Sequence, residues 1–348
     1  EIIDAEVSDM LARGVLQPSK SPYASNLLLV RKPDPTSPGG WKNRVCADFV
    51  QLNTQTIKDS YPLANIQWLI DKVGWASWFT TMDLLSGFWQ VLIKPEHREK
   101  TAVLTSRGLY EFVVMAFGLC NAPATFQRLM DTVIAPQFRK FIETYIDDVI
   151  VYSGDEEQHL AHLSVLFDQL EKHNLVVKLS KCHFFQREVK FLGHILSEGK
   201  VRPNPATIEA VAKWQRPTQG PNRLKALRGF LQTVNWYRRF IPNLSHIARP
   251  LYDLTKKDAK WEWTDAREKA FVTLRDALTS SPVLRAPDPN RPYFLMTDAS
   301  DDSIGAILQQ EDEEGHMHPV AYASRSLNDA EKKWSVTERE ALAIPWAL

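Results

Sequence analysis

The feature that most constrains the fold is a pair of adjacent aspartates, Asp147 and Asp148, within the apolar, β-prone run TYIDDVIVYS at residues 144–153. Burying an unpaired carboxylate is costly, and two neighbouring carboxylates repel each other. The longer segment KFIETYIDDVIVYS predicts a β-hairpin with both aspartates at its turn. An isolated pair of this kind usually reflects ordinary turn chemistry, so a second observation is needed to favour a bound cation.

Asp83 supplies that second observation, because it also ends an apolar β run, in FTTMDLLSGF. If this strand lies beside the hairpin, three carboxylates converge. Carboxylate oxygens suit Mg²⁺, which binds one or two carboxylates together with substrate phosphates. The pattern therefore predicts two-metal phosphoryl transfer with Mg²⁺, or Mn²⁺, as the cofactor.

Composition narrows the class of protein. A chain of 348 residues with 44% hydrophobic residues predicts two or three domains with a real core. The sequence has no run of about 18 apolar residues, and its acidic start EIIDAEVSDM does not resemble a secretory signal. Cys46, Cys120 and Cys182 lie too far apart for a C-x-x-C pair, so neither a zinc site nor a disulfide framework is indicated.

The formal net charge is zero, but basic residues are concentrated in one segment. Residues 210–252 contain no Asp or Glu, and their Lys and Arg residues alternate with Trp, Tyr and Phe. Such a face fits a surface that follows nucleic-acid phosphates. It fits equally well a solvated helix face packed by its aromatic rings, and both interpretations stay open at this point.

The order of elements favours an α+β fold, since β and α patterns are mixed without a βαβ repeat or a glycine-rich nucleotide loop. NLLLVRK and RVCADF predict a hairpin whose long tip is PDPTSPGGWKN. EEQHLAHLSVLFDQLEKHNL predicts an amphipathic helix. Its expected buried face consists of Leu160, Leu163, Leu166, Phe167 and Leu170. His159 and His162, one turn apart, are expected on a solvated edge rather than in a metal site.

The motif YIDDVIVYS resembles the Y-x-D-D motif of reverse transcriptases. FTTMDLLSGFWQVLI, MAFGLCNAPATFQRLMD, KCHFFQREVKFLGHILS, LRGFLQTVNWYRRFIPNLS and TDASDDSIGAILQQ follow in the order of the gypsy-type long-terminal-repeat retrotransposon (Metaviridae) Pol polyprotein, which the sequence resembles. The resemblance implies a right-hand polymerase followed by a truncated ribonuclease H-like α/β domain. The expected domains are fingers and palm at 1–197, a helical basic thumb or connection at 198–285, and the start of ribonuclease H at 286–348.

The same resemblance assigns roles to individual residues. The polymerase carboxylates and metal ligands would be Asp83, Asp147 and Asp148. Substrate contacts would come from Lys32, Arg44, Phe88 and Phe117, with Phe88 as the steric gate against a ribose 2′-hydroxyl. The primer grip would be Phe191, Leu192, Gly193 and His194, and the thumb would contact nucleic acid through Arg228, Arg238 and Arg239. Asp298 and Glu340 would be metal ligands of a partial ribonuclease H site.

The implied function is RNA- and DNA-templated DNA synthesis. The expected partners are an RNA template, a DNA primer, RNA–DNA hybrid, dNTPs and other parts of a Pol polyprotein, with a homodimer left open and no membrane. The expected location is a virus-like particle in the cytoplasm. The alternative is a catalytically weak remnant that only binds nucleic acid; an RNA-synthesising polymerase conflicts with Phe88.

Ribonuclease H activity is not expected of this chain. The sequence stops at Leu348, before the elements that would carry the other two carboxylates of that family. Pro345 is expected to break the helix that holds Glu340.

Overall fold

A computed structural model of the chain describes residues 2–33, 40–217, 220, 222–280 and 283–348, with only the backbone described at 32 and 33. The helices are α1 (Ile2–Ala12), α2 (Val50–Gln55), α3 (Ile66–Val73), α4 (Pro95–Arg98), α5 (Ala122–Val133), α6 (Glu156–Lys172), α7 (Pro205–Ala212), α8 (Arg223–Trp236), α9 (Leu244–Asp253), α10 (Asp265–Thr279) and α11 (Val336–Ala347). The strands are β1 (Leu16–Pro18), β2 (Ser25–Pro33), β3 (Trp41–Ala47), β4 (Trp78–Asp83), β5 (Val103–Thr105), β6 (Gly108–Phe112), β7 (Ile142–Tyr145), β8 (Asp148–Ser153), β9 (His183–Gln186), β10 (Glu188–Phe191), β11 (His194–Ser197), β12 (Lys200–Pro203), β13 (Leu284–Arg285), β14 (Phe294–Ala299), β15 (Ser303–Glu311) and β16 (Met317–Ser326).

The chain divides into two compact units, residues 1–65 with 79–185 and residues 66–78 with 186–348. The first unit contains two sheets, with strand orders β1-β6-β5-β2-β3 and β7-β8-β4-β9. The expected hairpin of residues 26–48 is present as β2 and β3, paired antiparallel. Residues 34–39 of its tip lie outside the described part of the chain.

Helices α5 and α6 contribute to one hydrophobic core with the sheet β7-β8-β4-β9. Phe126 and Met130 of α5 are fully buried in this core, as is Leu166 of α6. The expected face of α6 is corrected in part: Leu163 and Leu170 are buried, but Leu160 is 63% exposed and Phe167 42% exposed.

His159 was expected on a solvated edge, but it lies on the buried face of α6 and is fully buried. Its Nε2 lies 2.7 Å from Thr80 Oγ1 of β4, and its Nδ1 lies 2.9 Å from Ser153 Oγ of β8. Both polar atoms of the ring therefore have hydrogen-bond partners, which makes burial of a neutral imidazole tolerable.

Stability of the first unit is expected to fall in acid because of His159. Burial lowers the pKa of His159 to about 4, and the charge of nearby His162 acts in the same direction. The unfolded chain, with its higher histidine pKa, binds the proton first, so this contribution is complete above about pH 6.5 and is lost as the pH falls towards 4. The contribution is on the order of 3 kcal/mol.

Chemical unfolding of the wild type and of His159→Asn between pH 4 and 7 measures this effect. The variant should show a shallower pH slope, whereas His183→Asn on an exposed position should keep the wild-type slope. Some slope remains in both, because burial also lowers the pKa of His194 to about 4. Equal slopes for wild type and His159→Asn would contradict the prediction.

The second unit contains the sheets β10-β11-β12-β13 and β14-β15-β16, with helices α7 to α10 between β12 and β13 in sequence. The first sheet continues past residue 198 through the hairpin of β11 and β12, and Val201 of β12 pairs with Leu284. Helix α11 is not broken by Pro345 and runs to Ala347. The proline lies in the last turn, where the missing N–H removes only one intrahelical bond.

Close packing in the second unit makes Gly74 sensitive to substitution. A Cβ at Gly74 would lie 2.7 Å from Ala286 Cβ and 3.0 Å from the Ile70 carbonyl oxygen. Gly74→Ala is therefore expected to destabilise the unit by about 1–3 kcal/mol, the usual cost of overpacking a core. Gly229→Ala in α8 is the matched control, because its Cβ would lie an ordinary 3.5 Å from the Trp214 ring. Denaturant unfolding should show a loss only for Gly74→Ala.

Candidate functional site

The aspartate pair lies at a tight hairpin. Tyr145 of β7 pairs with Asp148, the first residue of β8, so only Ile146 and Asp147 form the loop. Ile146 has φ = +57°, a left-handed conformation that a β-branched residue rarely adopts. The Asp147 side chain is partly exposed and that of Asp148 is exposed. The turn is thus strained at the residue that immediately precedes the first aspartate, as often occurs at functional sites.

Gln127 of α5 supports this strained turn. Its Oε1 accepts a hydrogen bond from the Ile146 N–H at 2.8 Å, and the side chain is only 2% exposed. Its Nε2 donates to Asp131 at 2.8 Å. Sequence reasoning missed Gln127 and Asp131, although a glutamine beside Phe126 on a buried helix face is a signal that could have found them.

Gly87 brings the aspartate turn close to the segment that follows Asp83. Asp83 ends β4, which is the neighbour of β8 in the sheet. A Cβ added at Gly87 would lie 3.2 Å from Asp147 Cβ and 3.3 Å from the Phe126 ring. The close approach favours a residue without a side chain, and it places the segment that follows Asp83 beside the Asp147 turn.

Lys181 forms an ion pair with the Asp83 carboxylate. Its Nζ lies 2.6 Å from Asp83 Oδ2, in a pair that is about half exposed at the lysine. Among the described residues, no group of three His, Cys, Asp or Glu side chains is arranged to hold a metal ion. The donors nevertheless fit Mg²⁺ chemically, because Mg²⁺ commonly takes one or two carboxylates and completes its shell with water and substrate phosphates.

Most of the residues predicted to bind the nucleotide contact one another through aromatic rings in the first unit. The rings of Phe88 and Phe117 have centroids 5.3 Å apart, and Phe88 also contacts Phe126 with centroids 5.6 Å apart. The exposed Arg44 guanidinium lies over the Phe117 ring at 4.5 Å. Phe126 also borders Gly87, so these contacts extend from the β2–β3 hairpin to the aspartate turn.

Lys32 has its backbone in β2, where it pairs with Lys42. Its side chain lies outside the described residues, so its expected contact with substrate stays a prediction.

The expected primer-grip segment is the tight turn between β10 and β11. Leu192 and Gly193 have φ values of +43° and +78°, as in the two-residue hairpin loops that require a left-handed backbone. The Tyr237 hydroxyl donates to the Gly193 carbonyl at 2.7 Å. His194 is fully buried and stacks on Phe240, so only the turn itself can face a ligand.

The three thumb arginines differ in accessibility. Arg228 and Arg238 are exposed, and Arg238 donates to the Ser324 carbonyl at 2.9 Å. Arg239 is only 6% exposed, and its guanidinium contacts Gln67 and Asp71, each at 2.7 Å. The expectation that Arg239 contacts nucleic acid is therefore corrected, because its charge is used inside the second unit.

The two carboxylates assigned to ribonuclease H lie on a helix and a strand of the second unit that contact each other. Asp298 is exposed on β14. Glu340 of α11 accepts a hydrogen bond from the N–H of Ala299, the residue after Asp298, at 3.3 Å. The helix that carries Glu340 thus contacts the strand that carries Asp298, and the role of both acids as metal ligands stays a prediction.

Comparisons with known proteins agree with this arrangement. Residues 30–196 match the family described as reverse transcriptase (RNA-dependent DNA polymerase), and residues 263–348 match the RNase H-like domain found in reverse transcriptase. The fold matches the foamy viral protease-reverse transcriptase in complex with dsDNA with a TM-score of 0.83, at 24% identity and over 99% of this chain and 70% of that chain. The chain is thus a reverse transcriptase domain with an RNase H-like domain, and the expected α+β polymerase fold is confirmed.

More particularly, the chain is similar to retrotransposon Pol polyproteins, as its motifs indicated. It is 39% identical to the Retrovirus-related Pol polyprotein from transposon 297 of Drosophila melanogaster over 99% of this chain and 32% of that protein. It is 36% identical to the corresponding polyprotein from transposon gypsy of the same species, over 100% of this chain and 34% of that protein. The chain spans about a third of the length of these relatives.

Proposed function

We propose that this chain extends a primer 3′-hydroxyl with deoxynucleoside triphosphates on RNA or DNA templates. The observation that carries the proposal is the meeting of the Asp147 turn with the Phe88–Phe117–Arg44 contacts through Gly87. Carboxylates for metal binding, an aromatic ring beside them and a guanidinium are the parts that nucleotidyl transfer needs.

Each residue has a separate task in this proposal. Asp83 and Asp147, with Asp148 beside them, would hold divalent ions, here Mg²⁺ or Mn²⁺. When bound, such ions lower the pKa of the primer hydroxyl and neutralise the leaving pyrophosphate. Asp83 must then exchange Lys181 for the ion, which is inexpensive because a pair this exposed contributes at most about 1 kcal/mol.

The remaining residues bind and select the nucleotide. Arg44 would contact the triphosphate, which a guanidinium can do with two parallel hydrogen bonds. Lys32 is proposed for the same task from the neighbouring strand. Phe88, fixed between Phe117 and Phe126, would close the space that a ribose 2′-hydroxyl needs.

The nucleic-acid partners follow from the same proposal. The turn of Leu192 and Gly193 would contact the primer, and the exposed Arg228 and Arg238 would contact phosphates. The relatives suggest a Pol polyprotein within a virus-like particle, and no helix in the described ranges is long and apolar enough to cross a membrane. A homodimer and the division at residues 197 and 285 remain predictions.

Primer extension by the purified chain tests the proposal. A labelled DNA primer on matched RNA and DNA templates is incubated with dNTPs and either Mg²⁺, Mn²⁺ or EDTA. Extension on both templates that requires a divalent ion is the expected result. No extension under any of these conditions would overturn the proposal.

A nucleic-acid-binding remnant is the second candidate, and the pairing of Lys181 with Asp83 favours it. A remnant would retain the primer-template in a salt-sensitive manner without extending it. Binding and extension measured on the same sample therefore separate the two functions.

A further inference from the structure

The Ile146 peptide of the aspartate turn is held by a side chain to which the proposed nucleotide transfer assigns no task. Gln127 lies under the turn, almost fully buried, and accepts the Ile146 N–H at 2.8 Å. A β-branched residue at φ = +57° costs on the order of 1–3 kcal/mol and persists only where its surroundings enforce it. Since the next residue is Asp147, the position of this peptide sets the position of that carboxylate.

Asp131, one helical turn along α5, fixes which end of the Gln127 amide faces Ile146. An amide can present either its oxygen or its NH₂ group, whereas an ionised carboxylate only accepts hydrogen bonds. Asp131 Oδ1 accepts from Gln127 Nε2 at 2.8 Å. The NH₂ group is thereby directed to Asp131, and the oxygen is left for the Ile146 N–H.

Two further donors keep Asp131 ionised. Arg139 donates to its Oδ1 and the Tyr61 hydroxyl to its Oδ2, each at 2.5 Å. Burial alone would raise the pKa of Asp131, but the hydrogen bonds from Tyr61, Gln127 and Arg139 outweigh burial and lower that pKa. Asp131 is therefore an acceptor at neutral pH, as the orientation of Gln127 requires.

We propose that Asp131 and Gln127 are positioning residues that act in series, Asp131 orienting the Gln127 amide and Gln127 holding the Ile146 peptide so that Asp147 is placed for catalysis. The catalytic consequence rests on the proposed polymerase function, but the hydrogen-bonded series itself does not. Neither residue touches substrate, so the pair acts through the backbone of the turn.

Exchanging the amide of Gln127 and the carboxylate of Asp131 tests the proposal. Gln127→Glu sets a carboxylate against Asp131, and this repulsion should displace the turn. A misplacement of the Asp147 carboxylate by about 1 Å should lower kcat by about 10²-fold. The KM for dNTP and the affinity for primer-template should be unchanged.

The double variant Gln127→Glu with Asp131→Asn should recover most of kcat. In it, the carboxylate introduced by the first change can accept from the Ile146 N–H, while the amide introduced by the second change donates to that carboxylate. The amide oxygen can still accept from Tyr61, and only the hydrogen bond from Arg139 is lost. The control is Thr132→Ala, on the exposed side of the same helix, which should extend primers at the wild-type rate.

Amide hydrogen exchange of the free protein gives a readout that does not need catalysis. Peptides covering residues 142–153 should exchange faster in Gln127→Glu and return to the wild-type rate in the double variant. If the wild type extends no primer, the proposed function fails while exchange still decides the positioning role. Unchanged exchange in Gln127→Glu, or a defect that the double variant does not repair, overturns the inference.

Discussion

DNA synthesis by the Asp147→Asn variant is expected to fall by about 10³-fold or more, while its affinity for primer-template stays close to that of the wild type. Asparagine preserves the shape of the side chain and removes the charge that would hold a divalent ion. The turn itself should be unaffected, because Ile146 is held through its backbone by Gln127. Single-turnover extension together with equilibrium binding of a labelled primer-template measures both quantities.

The control is Asp168→Asn, the same change at an exposed position of α6. It should extend primers at the wild-type rate. If Asp147→Asn retained near-wild-type synthesis, the assignment of the aspartate turn as the metal site would be wrong. If it lost primer-template binding as well, Asp147 would have a structural rather than a catalytic role.

Phe88→Val should allow ribonucleotide incorporation. The Phe88 ring packs between Phe117 and Phe126, so its position is fixed by contacts on two sides. A smaller side chain leaves space for the 2′-hydroxyl, the group that distinguishes the two sugars. The ratio of kcat/KM for dNTP to that for rNTP should fall at least about tenfold, equivalent to about 1.4 kcal/mol of lost discrimination.

Phe138→Val is the matched control for this variant. Phe138 is also a partly buried phenylalanine packed against the same core. Both variants should lose some stability, on the order of 1–3 kcal/mol. Only Phe88→Val should change the sugar preference. An unchanged preference in both would show that Phe88 contributes packing and no discrimination.

The sequence was sufficient to predict the hairpin of Asp147 and Asp148, because an acidic pair within an alternating apolar run permits few other structures. The convergence with Asp83 was predicted only on the condition that its strand lies beside that hairpin, and β4 and β8 are neighbours in the sheet. These features depend on local pattern and on the chemistry of carboxylates. The family resemblance supplied the fold and the residue roles.

The sequence could not predict features that depend on a partner residue distant in the chain. His159 has a polar side chain, yet it is buried because it forms hydrogen bonds with residues of two strands. A prediction from hydrophobicity alone places Leu160 in the core instead, and Leu160 is exposed. Arg239 was expected at the surface because it lies in a basic segment. Its acidic partner Asp71 is 168 residues away in the sequence, and no local pattern reveals such a pair.

The position of α3 in the chain has a consequence for dividing this protein into fragments. Residues 66–78 lie within the stretch that matches the reverse transcriptase family, but they pack with residues beyond 186. Asp71 pairs with Arg239, and Gly74 lies against Val201 and Ala286. A fragment cut at residue 196, the end of that match, would lack these partners and expose apolar surface of α3. Expression boundaries chosen from family alignments should therefore yield an aggregation-prone product, and ribosomes must deliver α3 well before its partners are made.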